Sequence, residues 1–246
     1  VEAVVPLLES LHVDALGVNC SLGPHEMKPI VKRLVDAASI PVIVNPNAGL
    51  PREENGRTVF DVTPEDFAAT MSELADLGIQ VAGGCCGTTF EHIRQEIETL
   101  KKKPFRAPVP KHRTVVTSFS RAVEIGPRCV VIGERINPTG KKRFKQALRD
   151  QDLPYILQEG LNQEDAGADI LDVNVGLPEI DEPAMMETVI KRLQGVTGLP
   201  LQIDTTDVQA LERALRCYNG KPMINSVNGK EESMRAVFPL AKKYGG

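Results

Sequence analysis

The chain has 246 residues, of which 41% are hydrophobic and 25% charged, so it holds enough apolar material for one large α/β unit or two smaller ones. A net charge of -4 excludes a general electrostatic attraction to nucleic acid or to an anionic membrane. No apolar run approaches the roughly 18 to 20 residues of a membrane span, and no signal pattern opens the chain. We therefore expect a cytoplasmic protein whose five cysteines are free thiols or metal ligands.

The first part of the chain shows three strand-helix units. We predict strands at residues 15–20, 40–45 and 79–82, followed by helices at residues 25–38, 63–77 and 90–101. The second strand is continuously apolar, which is typical of a parallel strand buried on both faces. The chain starts without Met in a helix-like stretch and stops after a helix, where a further strand would follow. We therefore expect a segment of a longer polypeptide.

Two adjacent cysteines, Cys85 and Cys86, lie at the glycine-flanked turn after the third strand, and Cys20 ends the first strand. In α/β barrels such turns lie at the C-terminal ends of the strands, where active sites are built. Three thiolates with one open position are the ligand set of a catalytic zinc. A buried pair of unreactive cysteines is the alternative. Cys129 and Cys217 have no partner motif, and we expect both in the core.

A basic, proline-containing stretch at residues 101–113 interrupts the periodicity and marks a domain boundary. After it, strands are predicted at residues 129–134, 168–174, 200–204 and 222–226, separated by helices, which implies a parallel sheet. We therefore predict an α/β fold of two (β/α)8 barrels in series, each partly covered by this chain. The boundaries are 1–103 for the first module, 104–128 for a linker and lead-in segment, and 129–246 for the second module.

Polar residues follow every strand of the second module. They are Glu134, Asn137, Asp172, Asn174, Asp204 and Asn225. On a barrel these side chains would converge on one mouth and form a cup of carboxylates and amides. Such a cup suits a flat heterocycle with several N–H donors, because a carboxylate accepts two of them side by side. The alternative is that these side chains only satisfy the backbone of their own turns.

The motifs GVNC, PNAGLP and GGCCGTT, in that order, resemble the last part of the homocysteine-binding module of the cobalamin-dependent methionine synthase family. Past the linker, GERINPTG, DVNVG, IDTTD and INSVNG resemble the first half of that family's methyltetrahydrofolate-binding module, a pterin-binding barrel also similar to dihydropteroate synthase. The resemblance covers nearly the whole chain. It implies methyl transfer from 5-methyltetrahydrofolate through cobalamin to homocysteine, giving methionine and tetrahydrofolate.

The resemblance also implies roles for individual residues. Cys20, Cys85 and Cys86 would bind Zn²⁺ and leave a fourth position for the homocysteine sulfur. Asp204 and Asn225 would be the catalytic residues of the pterin site, lined further by the other four polar residues at the strand ends. Cobalamin would come from a module in cis or in trans, since no DxHxxG signature is present. A corrinoid-independent homocysteine S-methyltransferase and a non-catalytic zinc- or pterin-binding fragment remain as alternatives.

Overall fold

A computed structural model describes residues 1–246, and the chain divides into two compact units. The first unit comprises residues 1–5 and 13–112, and the second unit comprises residues 6–12 and 113–246. None of the helices has the length and apolar character needed to cross a membrane.

Three parallel strands with helices between them form the centre of the first unit. In chain order the elements are α1 (Val4–Ser10), of which residues 6–10 belong to the second unit, β1 (Leu16–Asn19), α2 (Pro24–Ala37), β2 (Val42–Asn45), β3 (Arg52–Glu54), β4 (Arg57–Val59), α3 (Pro64–Leu77), β5 (Val81–Ala82) and α4 (Phe90–Leu100). The sheet order is β1-β2-β5. The sequence around α3 explains its bounds: the Thr63 hydroxyl accepts from the Asp66 N–H, and Gly78 ends the helix with φ 113°.

The segment between β2 and α3, for which the sequence analysis predicts no strand, contains an antiparallel hairpin of β3 and β4. Asn55 and Gly56 connect the two strands with φ of 52° and 75°. Positive φ at both central residues is the signature of a type I′ turn, for which Asn-Gly is the preferred pair. The dipeptide was therefore a usable signal for this hairpin.

The second unit is built on a four-stranded parallel sheet. Its elements are β6 (Thr114–Thr117), β7 (Ala122–Ile125), β8 (Ile132–Ile136), α5 (Lys142–Arg149), α6 (Leu153–Asp165), β9 (Ile170–Val173), α7 (Glu182–Leu193), β10 (Leu201–Asp204), α8 (Val208–Cys217), β11 (Met223–Asn225) and α9 (Glu231–Tyr244). The sheet order is β11-β10-β9-β8, and β6 pairs with β7 as a separate hairpin. The prediction of a mixed α/β fold with parallel sheets is confirmed.

One core assignment was wrong. Cys129 is exposed, because β8 begins at Ile132 and Cys129 lies in the loop before it. The Arg128 guanidinium pairs with the Asp169 carboxylate at 2.6 Å beside this residue. Cys217 is half-buried against the core of the second unit, and burial raises the pKa of its thiol.

Candidate functional site

The thiols of Cys20, Cys85 and Cys86 lie together at one end of the sheet of the first unit. The Cys20 and Cys86 Sγ atoms are 3.6 Å apart, the Cys85 and Cys86 Sγ atoms are 3.9 Å apart, and all three lie within 4.8 Å of one another. Cys86 is exposed and the other two are half-buried. The cluster therefore joins two turns that follow different strands and is open to solvent.

Backbone hydrogen bonds to the turn after β2 fix both cysteine turns. The Cys20 N–H donates to the Asn45 carbonyl at 2.9 Å, and the Cys85 N–H donates to the Pro46 carbonyl at 2.8 Å. The Cys86 N–H donates to the side-chain Oδ1 of Asn47 at 3.1 Å. Because β2 is the central strand, its turn lies between the two cysteine turns and holds both.

Local backbone conformation is unusual at these turns. Cys20 has φ 65° and Ser21 has φ 67°, which is the left-handed region and costs a non-glycine residue of order 1 kcal/mol or more. Gly87 has φ 79°, and a Cβ there would lie 2.3 Å from the ring of Phe60. Glycine is therefore required at position 87. The left-handed backbone at Cys20 and Ser21 accompanies a Cys20 side chain that lies beside the adjacent cysteines Cys85 and Cys86.

Two of the three sulfur–sulfur distances match the spacing of a tetrahedral zinc site, and the third is no longer than 4.8 Å. With a Zn–S distance of about 2.3 Å, tetrahedral geometry puts the sulfurs about 3.8 Å apart, close to both distances given above. The Ser21 backbone N–H and then the two neighbouring thiols lower the pKa of Cys20. Hydrogen bonds with Cys20 and Cys85 raise the pKa of Cys86 to about 11. Crowded thiols resist a second negative charge, and a cation removes that resistance. The residues present therefore fit the metal.

A second group of polar side chains lies at the ends of β9, β10 and β11. The Asn174 Nδ2 donates to the Asp204 Oδ2 at 3.0 Å, and the Asn225 Nδ2 lies 3.5 Å from the Asp172 Oδ1. Asn174 and Asp204 also line an open cavity of about 570 Å³, within the range of small-molecule sites. The structure thus brings four of the six predicted residues into two linked pairs.

Asp172 is the most enclosed member of this group, with 2% of its surface exposed. Burial raises the pKa of its carboxyl, and the charges of Asp204 and Glu134 act in the same direction. Hydrogen bonds from Gln202 and Asn225 act in the opposite direction. Two acidic side chains close together and largely out of water are a suitable acceptor surface for a ligand that brings N–H donors.

Glu134 and Asn137 make no hydrogen bond to those four side chains. The Lys141 ammonium pairs with the Glu134 carboxylate at 2.9 Å, and the Asn137 Oδ1 accepts from the Thr139 N–H at 2.9 Å. The Asn137 contact is the turn-stabilising bond that the alternative interpretation of these residues expects. Glu134 still contributes its charge to the field around Asp172.

Two side chains in these sites were not singled out from the sequence. Asn47 binds the Cys86 N–H, and its position inside the PNAGLP motif was the available signal. The Gln202 Nε2 donates to the Asp172 Oδ1. Gln202 precedes Asp204 by two residues on β10, so both face the same side of the strand, and that alternation was the signal for it.

Comparisons with known proteins divide the chain in the same order as its motifs. Residues 1–100 match the homocysteine S-methyltransferase family, and residues 133–246 match the pterin binding enzyme family. The methionine synthases of Mycobacterium leprae and Mycobacterium tuberculosis are each 33% identical over 99% of this chain. The chain spans 21% of the length of each relative.

A dihydropteroate synthase from Xanthomonas albilineans in complex with 7,8-dihydropteroate is 25% identical, over 51% of this chain and 46% of that one, with a TM-score of 0.37. The matches to the two sequence families and to the two mycobacterial relatives confirm the predicted resemblance. The chain is therefore similar to a segment of methionine synthase: a region that matches the homocysteine S-methyltransferase family precedes a region that matches the pterin binding enzyme family.

Proposed function

We propose that this chain carries two substrate sites of one methyl transfer, from 5-methyltetrahydrofolate via cobalamin to homocysteine, with methionine and tetrahydrofolate as products. The observation that carries the proposal is the convergence of three thiols from two separate turns at zinc-like spacing. The order of the two family matches supports it.

In the first unit, Cys20, Cys85 and Cys86 would hold Zn²⁺ and leave its fourth position for the homocysteine sulfur. When bound, the ion supplies the positive charge that keeps a substrate thiol in its nucleophilic thiolate form at neutral pH. Asn47 and the backbone of residues 45–46 would keep the two cysteine turns in register. The exposure of Cys86 supports an open position on that side of the cluster.

In the second unit, Asp204 would accept N–H groups of the pterin ring. Asn174 holds the Asp204 Oδ2, which leaves Oδ1 for the ligand. Methyl leaves a tertiary amine only when its nitrogen gains a proton or a hydrogen bond, so a donor near N5 of the pterin favours the transition state. Asn225 would supply that donor, since its 3.5 Å contact with Asp172 is too weak to hold its amide in place.

The remaining parts of the proposal concern the larger assembly. Each unit would be part of a (β/α)8 barrel, with residues 1–103 in the homocysteine module, 104–128 as linker and lead-in segment, and 129–246 in the pterin module. Glu134, Asn137 and Asp172 would line the pterin pocket. Cobalamin would be presented by a module in cis or in trans, because neither unit offers a site that we assign to it.

Metal analysis tests the first site. Wild-type protein loaded with Zn²⁺ and dialysed should retain one ion per chain, and Cys85→Ser should lose most of it. Cys129→Ser is the matched control, because that thiol is exposed and lies in the second unit, outside the cluster. Replacing zinc by Co²⁺ should give a sulfur-to-metal charge-transfer band in the wild type. Equal retention by the wild type and Cys85→Ser would contradict the site.

Calorimetry with 5-methyltetrahydrofolate tests the second site. Asp204→Asn should weaken binding about tenfold or more, because a charge-assisted acceptor becomes a neutral amide. The same variant should retain zinc normally, and Cys85→Ser should bind the folate normally. Wild-type protein that binds neither ligand would leave only a non-catalytic scaffold, whereas zinc binding alone would favour a homocysteine methyltransferase without a folate site.

A further inference from the structure

Gln202 lies in the middle of the polar cup of the second unit. On β10, Leu201 and Ile203 are buried in the core, while Gln202 and Asp204 alternate with them and are half-buried on the opposite face. In the parallel pairing of β10 with β9, Gln202 is the direct partner of Asp172. Side chains paired in this way on one face of a sheet are in contact distance.

The contact between these two side chains is specific to one carboxylate oxygen. The Gln202 Nε2 donates to the Asp172 Oδ1, and the weak contact from Asn225 reaches the same oxygen. The Asp172 Oδ2 has no hydrogen bond in the chain. Among fully buried side-chain oxygens and nitrogens, only Glu96 Oε1 lacks a hydrogen-bond partner. The unpartnered Asp172 Oδ2 is therefore not fully buried and keeps some contact with solvent.

An enclosed carboxylate held on one oxygen presents its other oxygen in a fixed direction. Without Gln202, the Asp172 carboxylate would keep only the 3.5 Å contact from Asn225 and would be free to rotate. It would also lose the amide that opposes the effect of burial on its ionisation. The Gln202 amide therefore fixes the orientation of the Asp172 carboxylate and favours its charged form.

We propose that Gln202 is a positioning residue of the pterin site, which holds the Asp172 carboxylate by Oδ1 so that Oδ2 is offered to an N–H donor of the bound pterin. This inference rests on the proposed pterin-binding function. It adds a second carboxylate acceptor beside Asp204 and assigns its orientation to a side chain that touches no substrate atom.

The test compares Gln202→Leu with Gln209→Leu, an exposed glutamine on α8 whose side chain makes no hydrogen bond. Calorimetry with 5-methyltetrahydrofolate is run from pH 5 to pH 8. Gln202→Leu should bind about tenfold more weakly than the wild type. Its affinity should also fall at a higher pH than that of the wild type as the solution is acidified, because Asp172 takes up its proton earlier. Gln209→Leu should match the wild type.

Carboxyl NMR of the ligand-free protein gives a readout that does not depend on folate. Asp172 should titrate at higher pH in Gln202→Leu than in the wild type, with unchanged circular dichroism as evidence of folding. Normal folate affinity and an unchanged pH profile in Gln202→Leu would overturn the inference and leave the pterin site intact. If the wild type binds no folate, the proposed function fails first. An unchanged Asp172 titration would then overturn the positioning role as well, and a raised one would support it.

Discussion

Replacing Glu96 by glutamine should stabilise the first unit above pH 7 and change its stability little near pH 5. Glu96 lies on α4 with 2% of its surface exposed, and its Oε1 has no hydrogen-bond partner. Burial raises the pKa of its carboxyl from 4.5 to about 7, because the charged form is poorly solvated there. The folded chain therefore holds this proton more tightly than the unfolded chain does.

The sign and size of the effect follow from that difference. A raised pKa in the folded state contributes stability that is complete below about pH 4.5 and is lost as the pH rises through 7. At about 1.4 kcal/mol per tenfold difference in proton affinity, the loss amounts to at most about 3.5 kcal/mol. Glutamine resembles the protonated carboxyl in shape and has no charge to bury, so Glu96→Gln should avoid most of that loss.

Urea unfolding at pH 5 and at pH 8 measures the difference. Far-ultraviolet circular dichroism follows both units, whereas tyrosine fluorescence follows only the second, because the chain has no Trp and its three tyrosines lie at positions 155, 218 and 244. The gain in stability of the first unit should appear in the unfolding transition followed by circular dichroism, and the transition followed by tyrosine fluorescence should be unchanged. Glu98→Gln, on the exposed face of the same helix, is the control. An equal difference between Glu96→Gln and wild type at both pH values would refute the reasoning.

Three further results are expected. Gly17→Ala should destabilise the first unit by about 1–3 kcal/mol or more, seen in its unfolding midpoint, because the added Cβ would lie 1.9 Å from the Ile43 carbonyl oxygen. Tyr218→Phe should lower the free energy of unfolding of the second unit by about 1–3 kcal/mol, measured by urea unfolding. Its hydroxyl donates to the Thr117 carbonyl and accepts from the Leu201 N–H in the interior. In protein loaded with Zn²⁺, a chelator should lower the thermal midpoint of the first unit measured by circular dichroism and leave the tyrosine fluorescence transition unchanged. A midpoint insensitive to chelation would contradict the metal site.

The sequence predicted the parallel strands and the residues at their ends, because apolar runs and polar stops are local properties of the chain. It predicted Cys129 wrongly because the apolar run there begins before the strand does, and strand boundaries depend on pairing with β9. The hairpin at Asn55 and Gly56 was missed although its dipeptide signal is strong. Boundaries and short hairpins were thus the weakest part of the prediction.

Within the two sites, the sequence named the side chains that could touch a ligand and missed those that hold them. Gln202 and Asn47 act on Asp172 and Cys86 across different strands or turns, so their roles follow from register and side-chain direction. Glu96 gives no signal in its helix at all. Its burial depends on how α4 packs, and a single carboxylate in a polar helix is normally solvated.

The thiol cluster has a consequence for the connectivity of the first unit. Cys20 and Cys86 are 66 residues apart in the chain, and they follow β1 and β5, which both pair with β2 and not with each other. An ion bound by both cysteines would cross-link two distant points of the chain in the folded unit. Because the unfolded chain does not hold the two cysteine turns together, the binding free energy of the ion would add to the stability of the folded unit. Oxidants or chelators would release the ion, so loss of the metal and loosening of the outer strands β1 and β5 would occur together.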